Sequence, residues 1–462
     1  TYLREKKGYL LSRAYFPGQD VTAGMVKIVI IAGRLEGQVN VVLDKPYRVN
    51  RHLVENISGR AIPEGQTILL GSVERAVLLI NDLSGLSARA YLDKGEVPGT
   101  SRITLHAAEG PWASGSISGD NFGNRYTGSF RRIGQVALHD SFGRGDLLQM
   151  SYINAANLDQ GQAQLSLPLG YQGVLLDVAY SGLRYELGGK LEDLKAMGSA
   201  HTASASIVYP LERTRFASLW IGIGHDYYWL EDKIDSQVNS DRNISVGNVN
   251  LTGNFYDDFA HGGLTSFLIS VSAGRNSITD GREDDEAGAC TKGHFTRMNY
   301  AAARLQQLWR NISLFLSARG QLADRNLDSS QKITLGGPNG VRAYPIGEAS
   351  GAEGHIFTVE KRVDLPFTPA WAKTQFIGFI DAGYVKMYEN TWANSVTNIS
   401  GRNHYWISGF GPGINIQKKG SYRLQFSYAH TIGKNPGRDT LDHHVDNRSD
   451  KGRFWAQATI WF

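Results

Sequence analysis

A chain of 462 residues has room for a small domain beside a large one, and its 53 glycines, 21 tyrosines, 18 phenylalanines and 9 tryptophans against 13 prolines favour strands and tight turns over packed helices. A formal charge of +4 with both signs mixed along the chain excludes a basic nucleic-acid footprint and a polybasic membrane patch. The lone Cys290 excludes an internal disulfide, and no apolar run approaches the ~20 residues of a membrane helix, although alternating membrane strands escape such a scan.

In chain order, Tyr9 to Tyr15 and Met25 to Ile31 read as the last two strands of a small unit. The chain opens at Thr1 inside that unit and shows no signal peptide, so an N-terminal portion is expected to have been removed. Residues 34–109 read as a second copy in the order β-α-α-β-β: a strand over 34–43, helices over 50–58 and 71–83, and strands over 86–94 and 100–108. Val73, Ala76, Val77, Ile80 and Leu83 recur at helical spacing and give the second helix one buried stripe.

From about Ala113 to the last residue the period becomes two. Leu148, Met150 and Tyr152 share a face opposite Gln149 and Ser151, and Phe267, Ile269 and Val271 alternate likewise with Leu268, Ser270 and Ser272. About sixteen such segments occur, each near the ~10 residues of a membrane-spanning strand. Short connections (141–145, 210–214, 260–263, 418–420) alternate with long polar ones (232–243, 277–293, 322–354, 388–403, 433–451), an asymmetry that an outer-membrane barrel needs and a soluble sandwich does not. The last segment places Phe454, Ala456, Ala458, Ile460 and Phe462 on one face and ends on an aromatic.

Two segments carry candidate site residues. Val341, Arg342, Ala343 and Tyr344 follow Gly336, Gly337 and Gly340, with Pro338 and Pro345 as stiffeners, so a sharply turning loop holds one arginine in place. On the segment from Gln375, alternation puts Ile377, Phe379 and Asp381 on one face, where Asp381 can pair with Arg342 and Phe379 can receive the guanidinium. Two readings stand: a pin that only fixes the loop, or a latch that positions it for work. Other candidates are weaker. The stretch Asp439 to Asp446 lacks the spacing of a zinc motif, the glycines at 409–413 read as a bend in a strand rather than a phosphate loop, and no nucleophile elbow stands among the serines. A protein without catalytic residues, metal or cofactor is expected.

These residues resemble the outer-membrane transporters of two-partner secretion, which export haemolysin, adhesin or contact-dependent toxin passengers and belong with the POTRA-barrel proteins. The resemblance covers nearly the whole chain. Residues 1–33 resemble the end of a first POTRA module, 34–109 a second, and 110–462 a 16-stranded antiparallel transmembrane β-barrel with residues 325–353 folded into its lumen. Asp120, Asn121, Gly123, Asn124, Arg125 and Gly128 resemble the family's junction between the first two barrel strands. Val341 to Tyr344 resemble its Val-Arg-Gly-Tyr loop motif, with Ala343 for the commoner glycine, and Phe376 to Gly383 the strand that receives it. The family's N-terminal plug helix is not in this sequence. The resemblance implies an outer-membrane monomer with periplasmic POTRA modules that recognise an unfolded exoprotein and pass it through the barrel. It also implies membrane lipid as surroundings, the barrel-assembly machinery as a partner in biogenesis with Phe462 as its signal, and no nucleic acid. The alternative within the superfamily is an assembly or insertion factor.

Overall fold

The computed structural model describes residues 7–20, 22, 24–366 and 372–462. Arg13–Tyr15 pairs antiparallel with Val29–Ile31 as a short hairpin at the start. An α/β module follows. Its middle strand Thr100–Glu109 pairs antiparallel with Leu86–Lys94 and parallel with both Arg34–Leu35 and Asn40–Leu43. The single strand expected over 34–43 is thus two pieces, because Gly37 takes φ 68° and turns the chain between them.

Helices α1 (Arg51–Ala61) and α2 (Leu70–Asn81) cover one face of this sheet. Asn50 caps α1 by accepting from the His52 amide. Val54, Ile57, Val73, Ala76, Leu79 and Ile80 pack on Val41, Leu43, Ala88, Ile103 and Leu105. Leu79 lies on the buried stripe while Val77 is only partly buried.

The remaining strands close on themselves. They are β1 (Ala113–Asp120), β2 (Arg131–His139), β3 (Leu147–Ala155), β4 (Leu158–Leu169), β5 (Val174–Glu186) and β6 (Met197–Arg213). Next come β7 (Ala217–Ile234), β8 (Gln237–Asp257), β9 (Gly263–Asp280), β10 (Gly293–Trp309) and β11 (Ile312–Ala323). The barrel is completed by β12 (Glu353–Asp364), β13 (Lys373–Lys386), β14 (His404–Lys418), β15 (Tyr422–Thr431) and β16 (Gly452–Trp461). Each pairs antiparallel with its neighbours and β16 returns to β1, so no edge is left for water or lipid to satisfy.

Two connections differ from expectation. The polar stretch 232–243 is not a loop. β7 and β8 run on to a two-residue turn at Asp235 and Ser236, both with positive φ, because polar alternating residues pair as well as apolar ones once the ladder is under way. The turn expected at 210–214 lies at 214–216, since Pro210 and Glu212 stay in the ladder across a bulge.

Register sorts the side chains. Ile117, Ile223, Ile269, Val271, Phe357, Val359, Ile380, Phe410 and Ile460 point outward and are exposed, the apolar outer face that a membrane-spanning barrel presents to lipid. Phe142, Phe216, Phe259 and Trp309 stand exposed at one rim, as an aromatic girdle does.

That rim carries the module. The Asn50 amide donates to the Gly143 carbonyl at 2.8 Å and the Ser84 amide to Gly145 at 2.9 Å. Arg213 forks onto Asp82 at 2.9 and 2.7 Å, and the Arg60 guanidinium lies 5.2 Å over the Tyr171 ring. The module therefore sits on the short turns β2–β3, β4–β5 and β6–β7, with the long connections at the distal end.

Candidate functional site

The connection between β11 and β12 folds back into the barrel and packs on its wall. Leu335, Val341, Ala343, Tyr344 and Ala349 bury themselves against Ile356, Ile377, Phe379, Val385, Tyr405 and Ile407. Glycine makes the tight turn possible: Gly337 has φ 109°, and a Cβ on Gly340 would lie 2.0 Å from the Leu335 carbonyl oxygen. Backbone bonds from Val341 to Leu335 at 2.7 Å and from Gly337 to Tyr344 at 3.0 Å close the turn. Ala343 is not among the residues with positive φ, so the backbone itself does not require the commoner glycine there. The close approach is met on the wall instead, where a Cβ on Gly409 would come within 2.4 Å of the Ala343 Cβ.

This turn delivers Arg342 to β13. Its Nε and Nη2 donate to Asp381 at 2.7 Å each, and its own amide donates to the same carboxylate at 3.2 Å. Asp381 is fully buried and also accepts from Thr358 at 2.9 Å. The guanidinium lies 3.4 Å from the centre of the Phe379 ring. Two partners come from other strands and were not singled out in the sequence. Glu360 on β12 accepts from Arg342 Nη1 at 2.7 Å, and the Trp455 indole on β16 donates to the Arg342 carbonyl at 2.7 Å. Glu360 is then held by Arg362, whose guanidinium stands 4.2 Å over Phe315. Alternation contained the signal for Glu360, an acid flanked by the outward Phe357 and Val359 and by Lys361.

A second buried network ties the latch loop to the connection between β15 and β16. Glu348 accepts from Asn435 and from the Val445 amide at 2.9 Å, and His444 stands 3.5 Å away with its other ring nitrogen facing Arg438 at 3.0 Å. The His444 ring meets Tyr344 edge-on at 5.5 Å. The stretch Asp439 to Asp446 is therefore divided among separate partners: Asp446 goes to Arg453 at 2.6 and 3.1 Å, and His444 to Glu348.

The junction residues run from Asp120, the last residue of β1, to Gly128 and bind the barrel's closing pair. Asp120 accepts a bidentate bond from Arg131 at 2.9 Å each. The Asn121 side chain donates to the Phe454 carbonyl at 2.8 Å and accepts from the Ala456 amide at 2.9 Å, extending a β1–β16 ladder of five residue pairs. Asn124 accepts from the Tyr126 amide at 2.8 Å, and Arg125 donates to the Asp446 carbonyl at 3.0 Å. Gly123 and Gly128 sit where a Cβ would meet backbone atoms at 1.9 and 2.5 Å. Phe462 ends the chain exposed, its amide bonded to Gly115 at 3.0 Å.

Comparison with known proteins agrees with this construction. The sequence profile of the haemolysin secretion/activation protein family ShlB/FhaC/HecB matches residues 99–411, and that of the ShlB-type POTRA domain matches residues 3–33. The heme/hemopexin transporter protein HuxB of Haemophilus influenzae (strain 86-028NP) is 28% identical over 98% of this chain and 78% of its own length. The outer membrane transporter CdiB of Dickeya dadantii (strain 3937) is 24% identical over 82% of this chain and 68% of its own. Among solved structures, CdiB from Escherichia coli superposes with a TM-score of 0.79 at 20% identity, covering 100% of this chain and 82% of that one. BamA from Haemophilus ducreyi lacking POTRA domains 1–3 gives 0.59 at 14% identity, over 99% and 91%. At these identities the two structures speak for the fold alone.

Proposed function

The chain belongs to the haemolysin secretion/activation protein family ShlB/FhaC/HecB, and from that membership we propose how its parts divide the work of two-partner secretion. It is an outer-membrane transporter that recognises an unfolded exoprotein through periplasmic POTRA units and secretes it through its β-barrel. In the proposed division, the module on the short turns receives the extended chain, the barrel conducts it, and the latch keeps the inward loop on one wall while it passes. The exoprotein folds outside, and that folding supplies direction without any bond-making step or cofactor.

The observation that carries the latch is the fully buried Asp381 bonded through both oxygens to Arg342 inside a closed barrel. Secretion measured for Arg342→Ala and Asp381→Ala, with barrel insertion verified, is expected to be lost in both. Wild-type export from both variants would reject the latch.

The HuxB match runs over 98% of the chain against 82% for CdiB, which favours an exoprotein that handles haem or hemopexin over a toxin. Retention on hemopexin resin of the exoprotein encoded beside this chain tests that choice. A closed barrel leaves no strand edge to be completed by a second copy, so the transporter is proposed to act as a monomer. The exposed Phe462, next after β16, is proposed as its mark for the barrel-assembly machinery. The likeness to BamA extends to fold alone, and family membership favours secretion over assembly.

A further inference from the structure

The outer face of the barrel carries a row of polar residues where its apolar part ends. Register sets Gly119, Arg132, Asn154, Asp159, Arg184 and Ser199 side by side across β1 to β6, near the distal ends of these strands and on the lipid-facing side that Ile117 and Val178 share. Arg132 and Arg184 are exposed, and neither pairs with a carboxylate among the described residues. Arg132 donates to Asn154 Oδ1 at 3.0 Å, and the Arg184 side chain has no partner there. Between the two arginines, Asp159 accepts through one oxygen from Tyr152 and from Asn154 Nδ2 at 2.9 Å, which leaves its other oxygen open. Glu186 stands one row farther out. Three strand spacings of ~4.8 Å put the arginines ~14 Å apart.

On the module side of this row the same face is bare. Gly134, Tyr152, Gly161 and Gly182 form the next row. None of these glycines takes a positive φ. A Cβ on Gly134 would meet nothing within 4 Å, and one on Gly161 would meet only the Tyr152 ring at 4.0 Å, so packing within the chain accounts for neither. Glycine inside a strand marks a place where another group comes close. Nearer the module, Leu148, Ala163, Leu165, Val178, Tyr180 and Ala203 line an apolar hollow of about 550 Å³.

We propose that the outer face of β2 to β5 binds one phosphorylated glycolipid of the outer leaflet, a hexosamine disaccharide with a phosphate at each end. Its phosphates sit on Arg132 and Arg184, and its acyl chains run over the glycines into the hollow. A guanidinium forks onto a phosphate, and the open Asp159 oxygen accepts from a hydroxyl or amide of the sugar between them. In lipid an acyl chain gains by close packing rather than by leaving water, and a wall without side chains permits that approach. The site lies outside the lumen, and the inference is independent of how an exoprotein passes.

The test extracts the full transporter from outer membranes in dodecyl maltoside and counts its bound lipid by native mass spectrometry. One bis-phosphorylated lipid A per barrel is expected on the parent. Retention is expected to fall about tenfold with Arg132→Gln or with Arg184→Gln, the worth of one charge-assisted hydrogen bond. Arg275→Gln removes another exposed outward arginine at the distal rim and is expected to leave retention unchanged. Gly134→Leu together with Gly161→Leu, with folding verified by electrophoretic mobility, is expected to lower retention while both arginines remain. Lipid A stripped of its phosphates is expected not to compete for the site. The site is overturned by a parent barrel without lipid A, by undiminished retention in the glutamine variants or in the leucine pair, by an equal loss from Arg275→Gln, or by competition from the phosphate-free lipid.

Discussion

At the scale of the residue, Arg342 joins the inward loop to three strands of the barrel wall. Its fork holds Asp381, its third nitrogen holds Glu360, and its carbonyl receives Trp455, so the loop is tied to β12, β13 and β16 at once. Removing one partner from a buried pair costs roughly 3–5 kcal/mol, because the other charge is left without an answer. The loss of barrel stability in Arg342→Ala is accordingly expected to overlap that in Asp381→Ala rather than add to it, and the unfolding temperature of the double variant on electrophoresis reads this. Lysine cannot replace the fork, since an ammonium is a point charge without bidentate geometry. Glu36 in the module shows a different use of charge. The Thr100 hydroxyl, with the Val97 and Glu96 amides, holds its carboxyl down to about 2 from 4.5. A depressed folded value means stabilisation that is fully present above 4.5 and lost as pH falls toward about 2. Glu36→Gln is therefore expected to lower hydrogen-exchange protection of the 97–102 turn at neutral pH and to match the parent near pH 2.

At the scale of the element, the closing pair is the thinnest join in the barrel. β1 and β16 share five residue pairs, whereas β7 and β8 share eighteen. Asn121 adds two bonds from its side chain, standing in for a peptide unit beyond the end of β1. At ~0.5–1.5 kcal/mol net per hydrogen bond, Asn121→Ala is expected to weaken closure by about 1–3 kcal/mol. The measurement is the temperature at which the folded, fast-migrating band is lost on electrophoresis, and an unshifted transition would mean that the five backbone pairs suffice. The latch loop and the β15–β16 connection form a second composite element. Glu348, Asn435 and His444 join them in a buried contact, so the distal end is braced across loops far apart in sequence.

At the scale of the whole molecule, the module and the barrel meet through a few named bonds, and a small polar interface of this kind permits relative motion. Asp82→Ala removes the fork from Arg213. It is expected to widen spin-label distances between the module and the barrel while leaving barrel mobility on gels unchanged; an unchanged distribution would place the restraint in the Asn50 and Ser84 backbone bonds. The barrel was legible in the chain because a period of two is a local property, readable from Leu148, Met150 and Tyr152 without any neighbour. The same alternation set Phe379 and Asp381 on one face. It could not show that 232–243 continues as paired strand, since polar strands and polar loops have the same composition, nor that 34–43 breaks at Gly37.

What the sequence by itself determined was the succession of elements, the inward and outward faces, and the presence of one arginine on a stiff glycine turn, because backbone conformation and side-chain alternation are set by near neighbours. Only the tertiary structure decided that Glu360 and Trp455 complete the Arg342 site, that Asn121 reaches across the closing pair, and that the loop between β11 and β12 packs on β12 to β14 and, through Leu327, on β7 and β8. Those outcomes depend on closure, which fixes the distance between strands hundreds of residues apart, and no local pattern carries that distance.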